Sequence, residues 1–193
     1  LAGKYAEYAH GAPMAQRREK WRLHNGLKEK TCPFHIEDNG TFFEDLLPPA
    51  ECEDADCRTI EGRLLRALTA YELIDDDRII PERFLVDWYT PMSEHCDELE
   101  TTRADSGSGR TRGFKTNKPI KDIDADLGKL KKRTITLDRD VTERWAAVAE
   151  EAFAGLMPVE IGRASSLYSN GITNKAVLLM GMQELYLQMA IDP

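Results

Sequence analysis

The sequence predicts an α/β fold, and three stretches predict it. In the last third, one helical face carrying Val141, Trp145, Val148, Ala149, Ala152 and Phe153 precedes a short apolar strand at 157–161. A polar loop at 162–173 and a second apolar helix at 174–191 follow, the helix–strand rhythm of a parallel sheet or barrel. Upstream, Ile60, Leu64, Leu68 and Tyr71 recur at helical spacing within 55–74, with Leu65 and Ala67 widening the stripe. Third, residues 79–89 are apolar, aromatic and β-branched, the composition of a buried or half-buried strand.

From the beginning of the chain, residues 13–28 suit a helix with a broken apolar face of Met14, Trp21, His24 and Leu27. The basic cluster Arg17, Arg18, Lys20 and Arg22 reads as a solvated face rather than a phosphate site. A short strand is expected at 31–37, where His35 and Glu37 share a face; partial exposure accounts for them better than a catalytic dyad. The cluster Phe42, Phe43, Leu46 and Leu47 follows, closed by Pro48 and Pro49. The 55–74 helix has Asp54 as N-cap and Asp56 in its positive first turn. Asp75, Asp76 and Asp77 end it. They lack the spaced ligands and glycine of a calcium loop, so a solvated turn is expected.

Residues 94–103 are a weaker strand candidate. Residues 104–119 mix Gly107, Gly109 and Gly113 with Arg110, Arg112, Lys115 and Lys118, without Walker-loop spacing, so a hairpin tip or mobile loop is expected. Asp140 and Glu143 resemble a capping box, and Gly155 suits the helix stop. The 174–191 helix is apolar nearly all round, so neighbours are expected to enclose it. Without them its surface is expected to drive self-association.

A chain of 193 residues makes one domain, at most two. Hydrophobic content of 41% with 31% charged residues argues against wholesale disorder, and a net charge of -8 disfavours nucleic acid as a partner. No apolar run approaches the roughly 20 residues of a membrane span. Residues 1–10 lack the basic start and apolar core of a secretory signal, so a cytoplasmic protein is expected. No initiator Met is present, and the last helix stops where its neighbours should follow, so a longer parent is expected. Cys32, Cys52, Cys57 and Cys96 lie in separate contexts. A zinc set of Cys52, Cys57, His95 and Cys96 has poor ligand spacing, so reduced structural thiols are expected and no metal bound by this chain.

The stretch LLMGMQELYLQMAIDP at 178–193 resembles a recurring helix of the uroporphyrinogen decarboxylase superfamily, where Met-Gly-Met/Leu-Gln/Glu leads into an apolar helix and an Asp-Pro. RREKWRLHNGLKEK, LLPPAECEDADCRTIEGRLLRAL and DIDADLGKLKKRTITLDRDVTERW resemble the front of one branch, grouped with corrinoid-dependent methyltransferases and O-demethylases. By segment order the resemblance covers most of the chain. It implies a TIM-barrel parent of about twice this length. Residues 1–155 would be an N-terminal α/β extension, and 156–193 the first strand–helix unit of an incomplete TIM-type barrel. It further implies methyl transfer from a small methylated substrate to a corrinoid on a partner protein. The family's zinc is held by a His-x-Cys and a distant Cys; no residue here matches, which puts those ligands outside this chain. The early Arg-rich signature of true uroporphyrinogen decarboxylases is missing, which argues against a cofactor-free porphyrin-type decarboxylase. A non-catalytic α/β binding or assembly module is the other alternative.

Barrel active sites form at the C-terminal ends of strands. The loop after 157–161 would then deliver Arg163, Ser165, Ser166, Tyr168 and Asn170 to a substrate. Arg163 suits a carboxylate held bidentately, and the hydroxyls suit a methoxy or amine group. The competing reading is a surface loop in which Ser and Asn do turn work. Ser166 has no His placed by a local motif, so a hydrolase triad lacks support.

Overall fold

The computed structural model describes residues 1–30, 32–36, 43–103, 113–162 and 171–191. Among them the fold is mixed α/β. In chain order the elements are α1 (Ala2–His10), α2 (Ala12–Asn25), α3 (Ala55–Leu73), β1 (Phe84–Asp87), β2 (Thr101–Arg103), β3 (Phe114–Thr116), α4 (Ile123–Asp126), α5 (Arg139–Ala152), β4 (Val159–Gly162), α6 (Ile172–Met180) and α7 (Met182–Ile191). They form two compact units, each made of two separate stretches: Leu1–Tyr89 with Asp138–Ala164, and Thr90–Leu137 with Ser165–Pro193. No helix among the described residues is long and apolar enough to cross a membrane.

The first unit is built on a parallel pair. β1 runs alongside β4, with Phe84 opposite Val159 and Asp87 opposite Gly162. Phe84 and Val86 point into the core, where they meet Ile60, Leu64 and Leu68 of α3 and Ala146 and Ala149 of α5. β1 is shorter than the expected 79–89 because four of its residues pair with β4, while Tyr89 makes an isolated antiparallel bridge to Asp138. β4 starts two residues later than expected and is not buried, since Glu160 and Ile161 are exposed; Met157, just before it, is the buried residue. Helix α1 was not expected. Its small face of Ala6 and Ala9 packs closely, and Tyr5 meets Phe84 and Phe153 edge-on, both at 5.7 Å.

The helix starts follow cap chemistry. Asp54 accepts the N–H groups of Asp56 and Cys57 at the head of α3, as expected. At α5 the cap is Asp138, not Asp140. Its Oδ1 accepts from Val141, and its own N–H is fixed to the Tyr89 carbonyl, which sets the helix start two residues earlier. Cys52 and Cys57 are not reduced thiols: they form a disulfide across the entrance to α3, while Cys32 is exposed and Cys96 buried. The same entrance is held by Glu61, which accepts the N–H groups of Glu51 and Cys52; these two bonds keep its carboxyl below the usual range.

The Asp75–Asp77 run corrects a second expectation. Asp76 and Asp77 are only 3% and 8% exposed, so this is no solvated turn. Arg78 binds both oxygens of Asp76 through Nε and Nη2, and the Ile36 N–H adds a third bond. Lys20 binds Asp77, which also accepts the Phe34 N–H. These bonds explain why described residues 32–36 of the expected 31–37 strand form no strand. Residues 32–36 lie extended, but alternate N–H groups are taken by carboxylates instead of a neighbouring strand, and His35 is exposed.

The basic face of α2 is likewise not solvated. Arg17 donates to the Arg78 carbonyl, Arg18 to those of Ala9 and Ile80, and Trp21 to that of Asp77. The reason is periodicity. Arg17, Arg18 and Trp21 stand three, four and seven residues after the fully buried Met14, on its side of the helix. They therefore meet buried backbone whose carbonyls need donors. Arg22, paired with Glu19, is the member that stays exposed.

In the second unit β2 and β3 pair antiparallel, Thr101 opposite Thr116; the expected hairpin tip falls at 104–112, outside the described residues. Thr116 Oγ1 donates to the Leu178 carbonyl and the Ile120 N–H to that of Leu179, which ties this segment to the end of α6. Cys96, Ile120, Leu179 and Met180 form the buried cluster.

The expected single helix at 174–191 is two helices, broken at Gly181, whose φ of 85° is left-handed. The Lys118 side chain lies where a Cβ on Gly181 would sit, 2.9 Å away. Gly181→Ala should therefore cost about 1–2 kcal/mol, the penalty of an L-residue at positive φ. A lower urea midpoint at unchanged slope is the expected reading; an unchanged midpoint would mean that the break relaxes freely. Enclosure differs between the two halves: Leu179 and Met180 at the end of α6 are buried, with Leu185 packed against them. No described residue of α7 is buried, and Met182, Tyr186, Leu187, Met189 and Ile191 are exposed.

Candidate functional site

The parallel pair defines an edge where chemistry can be placed. In parallel sheets the residues just past the C-terminal strand ends face an open crevice, because the helices cover the flat faces. Here β1 ends at Asp87, and β4 ends beside it at Gly162. Arg63 reaches this edge from α3. Its Nη2 donates to the Leu85 carbonyl at 2.5 Å and lies 3.5 Å from Asp87 Oδ2, while its guanidinium stacks 5.1 Å from the Phe84 ring centroid. A half-buried carboxylate and a half-buried guanidinium thus stand together at the strand end.

The residues after Asp87 are held firmly. The Arg139 guanidinium lies over the Trp88 ring at 5.4 Å. The Tyr89 N–H donates to Thr142 Oγ1, a fully buried hydroxyl, and the Tyr89 ring meets Trp145 edge-on. Trp145 Nε1 and Arg144 Nε both donate to Asp56, and Arg144 holds that carboxyl below its ordinary range, with the Trp145 bond adding to it. α5 thus holds the chain just past β1 through Arg139, Thr142 and Trp145. Arg163, Ser165, Ser166, Tyr168 and Asn170 all lie outside the described residues, in the segment that follows β4 directly.

Sequence reasoning passed over Asp87 and Arg63. The available signal was an acidic residue closing the apolar run Phe84-Leu85-Val86, since a charge that ends a buried strand usually faces a crevice or water.

Among its described residues the second unit lines hollows of different character. One, of about 360 Å³, is walled by Ile120, Ile123, Leu130, Leu179 and Met180, with His95 and Lys175 as its polar groups. The other, of about 700 Å³, lies among Phe114, Lys115, Lys118, Asn174 and Met182 and is more polar. Among the described residues no group of three or more His, Cys, Asp or Glu is arranged to hold a metal ion. The conceivable set of Cys52, Cys57, His95 and Cys96 loses its first two members to their disulfide. No family model matches the chain, and neither a curated protein nor a solved structure matches it.

Proposed function

We propose that this chain supplies the strand-end face of an α/β methyltransferase or demethylase of the uroporphyrinogen decarboxylase superfamily type, passing a methyl group from a small methylated substrate to a corrinoid protein. The observation that supports this reading is the parallel pairing of β1 with β4. It brings Asp87 and Gly162 to one edge, from which residues 163–170 continue. Barrels and open parallel sheets bind their ligands at that edge. On this reading β4 belongs to the wall of a TIM-type barrel, and β1 extends that wall.

Zinc, which the resemblance implies, does not fit the described residues: no ligand cluster forms, and Cys52 and Cys57 are bonded to each other. The chain's own part is binding and orientation. Arg163 holds an anionic substrate with its planar fork, and Ser165, Ser166, Tyr168 and Asn170 orient the methyl-bearing group. Arg63 and Asp87 fix the neighbouring strand end.

The test is methyl transfer to cob(I)alamin by the protein expressed from its complete reading frame, with aryl methyl ethers and methylamines as donors. Methylcobalamin formation is expected. Arg163→Lys should lower kcat/KM by roughly 10- to 150-fold, the equivalent of about 1.5–3 kcal/mol, with Tm nearly unchanged. Absence of methylcobalamin with every donor sinks the reading, and CO2 release from uroporphyrinogen points to the decarboxylase instead. An unchanged kcat/KM removes Arg163 from the site.

A further inference from the structure

We infer that the 360 Å³ hollow of the second unit is a binding site for a small organic acid, one carboxylate on an apolar body. The inference stands apart from the methyltransferase reading, because it uses none of the strand-end residues. Its volume lies at the lower end of the roughly 300–1,000 Å³ of small-molecule sites, and its composition is theirs: apolar walls with few polar groups.

Those polar groups choose the ligand. The Lys175 side chain is only 19% exposed, and the ion pair it forms, with Glu94, spans 3.8 Å to a half-exposed carboxylate. An ammonium drawn this far out of water, with a distant and solvated counter-ion, gains from a closer anion. His95, half-buried on the same wall, offers a second polar contact. A cationic ligand would meet repulsion from Lys175, and a neutral one would leave the ammonium as it is. Apolar groups call for the rest of the ligand. Ile172 is 92% exposed, and Ile123 and Leu130 are 43% and 40% exposed on the rim. A hydrocarbon or aryl body seated against Ile120, Leu179 and Met180 covers them while its carboxylate meets Lys175.

Calorimetric titration of the intact chain with octanoate and octylammonium tests this. Octanoate should bind saturably, one per chain, and octylammonium should not; this pair of ligands decides the charge argument without any variant. Lys175→Met should weaken octanoate binding roughly tenfold or more, while Lys175→Arg keeps most of it. Ala176 also lines the hollow, so Ala176→Leu, which narrows it, should weaken binding without changing the net charge. Circular dichroism confirms that each variant is folded. No saturable octanoate binding, equal binding of the two ligands, or Lys175→Met binding as tightly as the unmodified chain would each overturn the inference.

Discussion

Replacing Asp76 with alanine is expected to destabilise the first unit by about 3–5 kcal/mol, the cost of breaking one side of a buried ion pair. The Asp76 side chain is 0% exposed and that of Arg78 12%, so the guanidinium left behind would lose its counter-ion at a largely buried position. The Ile36 and Arg78 N–H groups would also lose their acceptor. All three tryptophans, Trp21, Trp88 and Trp145, lie in this unit, so tryptophan fluorescence during urea unfolding reports it alone. A loss below about 1 kcal/mol would show that water or another donor set replaces the carboxylate.

The same residues set the acid limit. Burial pushes the Asp76 carboxyl up, but the Arg78 guanidinium and the N–H groups of Ile36 and Arg78 together outweigh it and hold it below its ordinary range. Lys20 does the same for Asp77, helped by the Phe34 N–H against the opposing effect of burial. A carboxylate whose folded pKa is depressed contributes stability above its unfolded value of about 3.9 and loses it as pH falls through the folded value. The fluorescence midpoint should thus hold steady above that pH and drop below it, more shallowly in Asp76→Ala.

Phe153→Ala should cost a similar amount, about 3–5 kcal/mol, by a different route. Phe153 is 1% exposed, with its ring 4.8 Å from Phe84 and 5.7 Å from Tyr5. Truncation leaves a cavity where α1, β1 and the end of α5 meet, and such aromatic contacts contribute beyond their buried area. Phe153→Leu, which keeps most of the volume, should cost clearly less. Equal losses for the two variants would mean that cavity size is not the cause.

Long helices with strict periodicity were legible in the sequence. Ile60, Leu64 and Leu68 located α3, and Trp145, Ala149 and Phe153 located α5, because a repeating apolar stripe is a local signal. The Asp75–Asp77 run was misread because, apart from Arg78, its partners Lys20, Phe34 and Ile36 lie about 40 to 57 residues earlier, where no local pattern connects them. The break at Gly181 was hidden for the opposite reason: a stretch apolar on all sides has no period whose interruption could mark it. Of the strand-end site, sequence located β4 and the segment after it. Asp87 and Arg63 needed the pairing of β1 with β4 to become visible.

That pairing has a consequence for how the protein is made. Arg83 and Glu160, which join the two strands through a salt bridge, are 77 residues apart. At about 5–20 residues per second, translation separates β1 from its partner by on the order of 4–15 s. Phe153 is likewise synthesised long after Tyr5 and Phe84, so this early aromatic pair leaves the ribosome without the third ring it packs against. The first unit is therefore dependent on late sequence for its completion, since its second stretch begins only at Asp138.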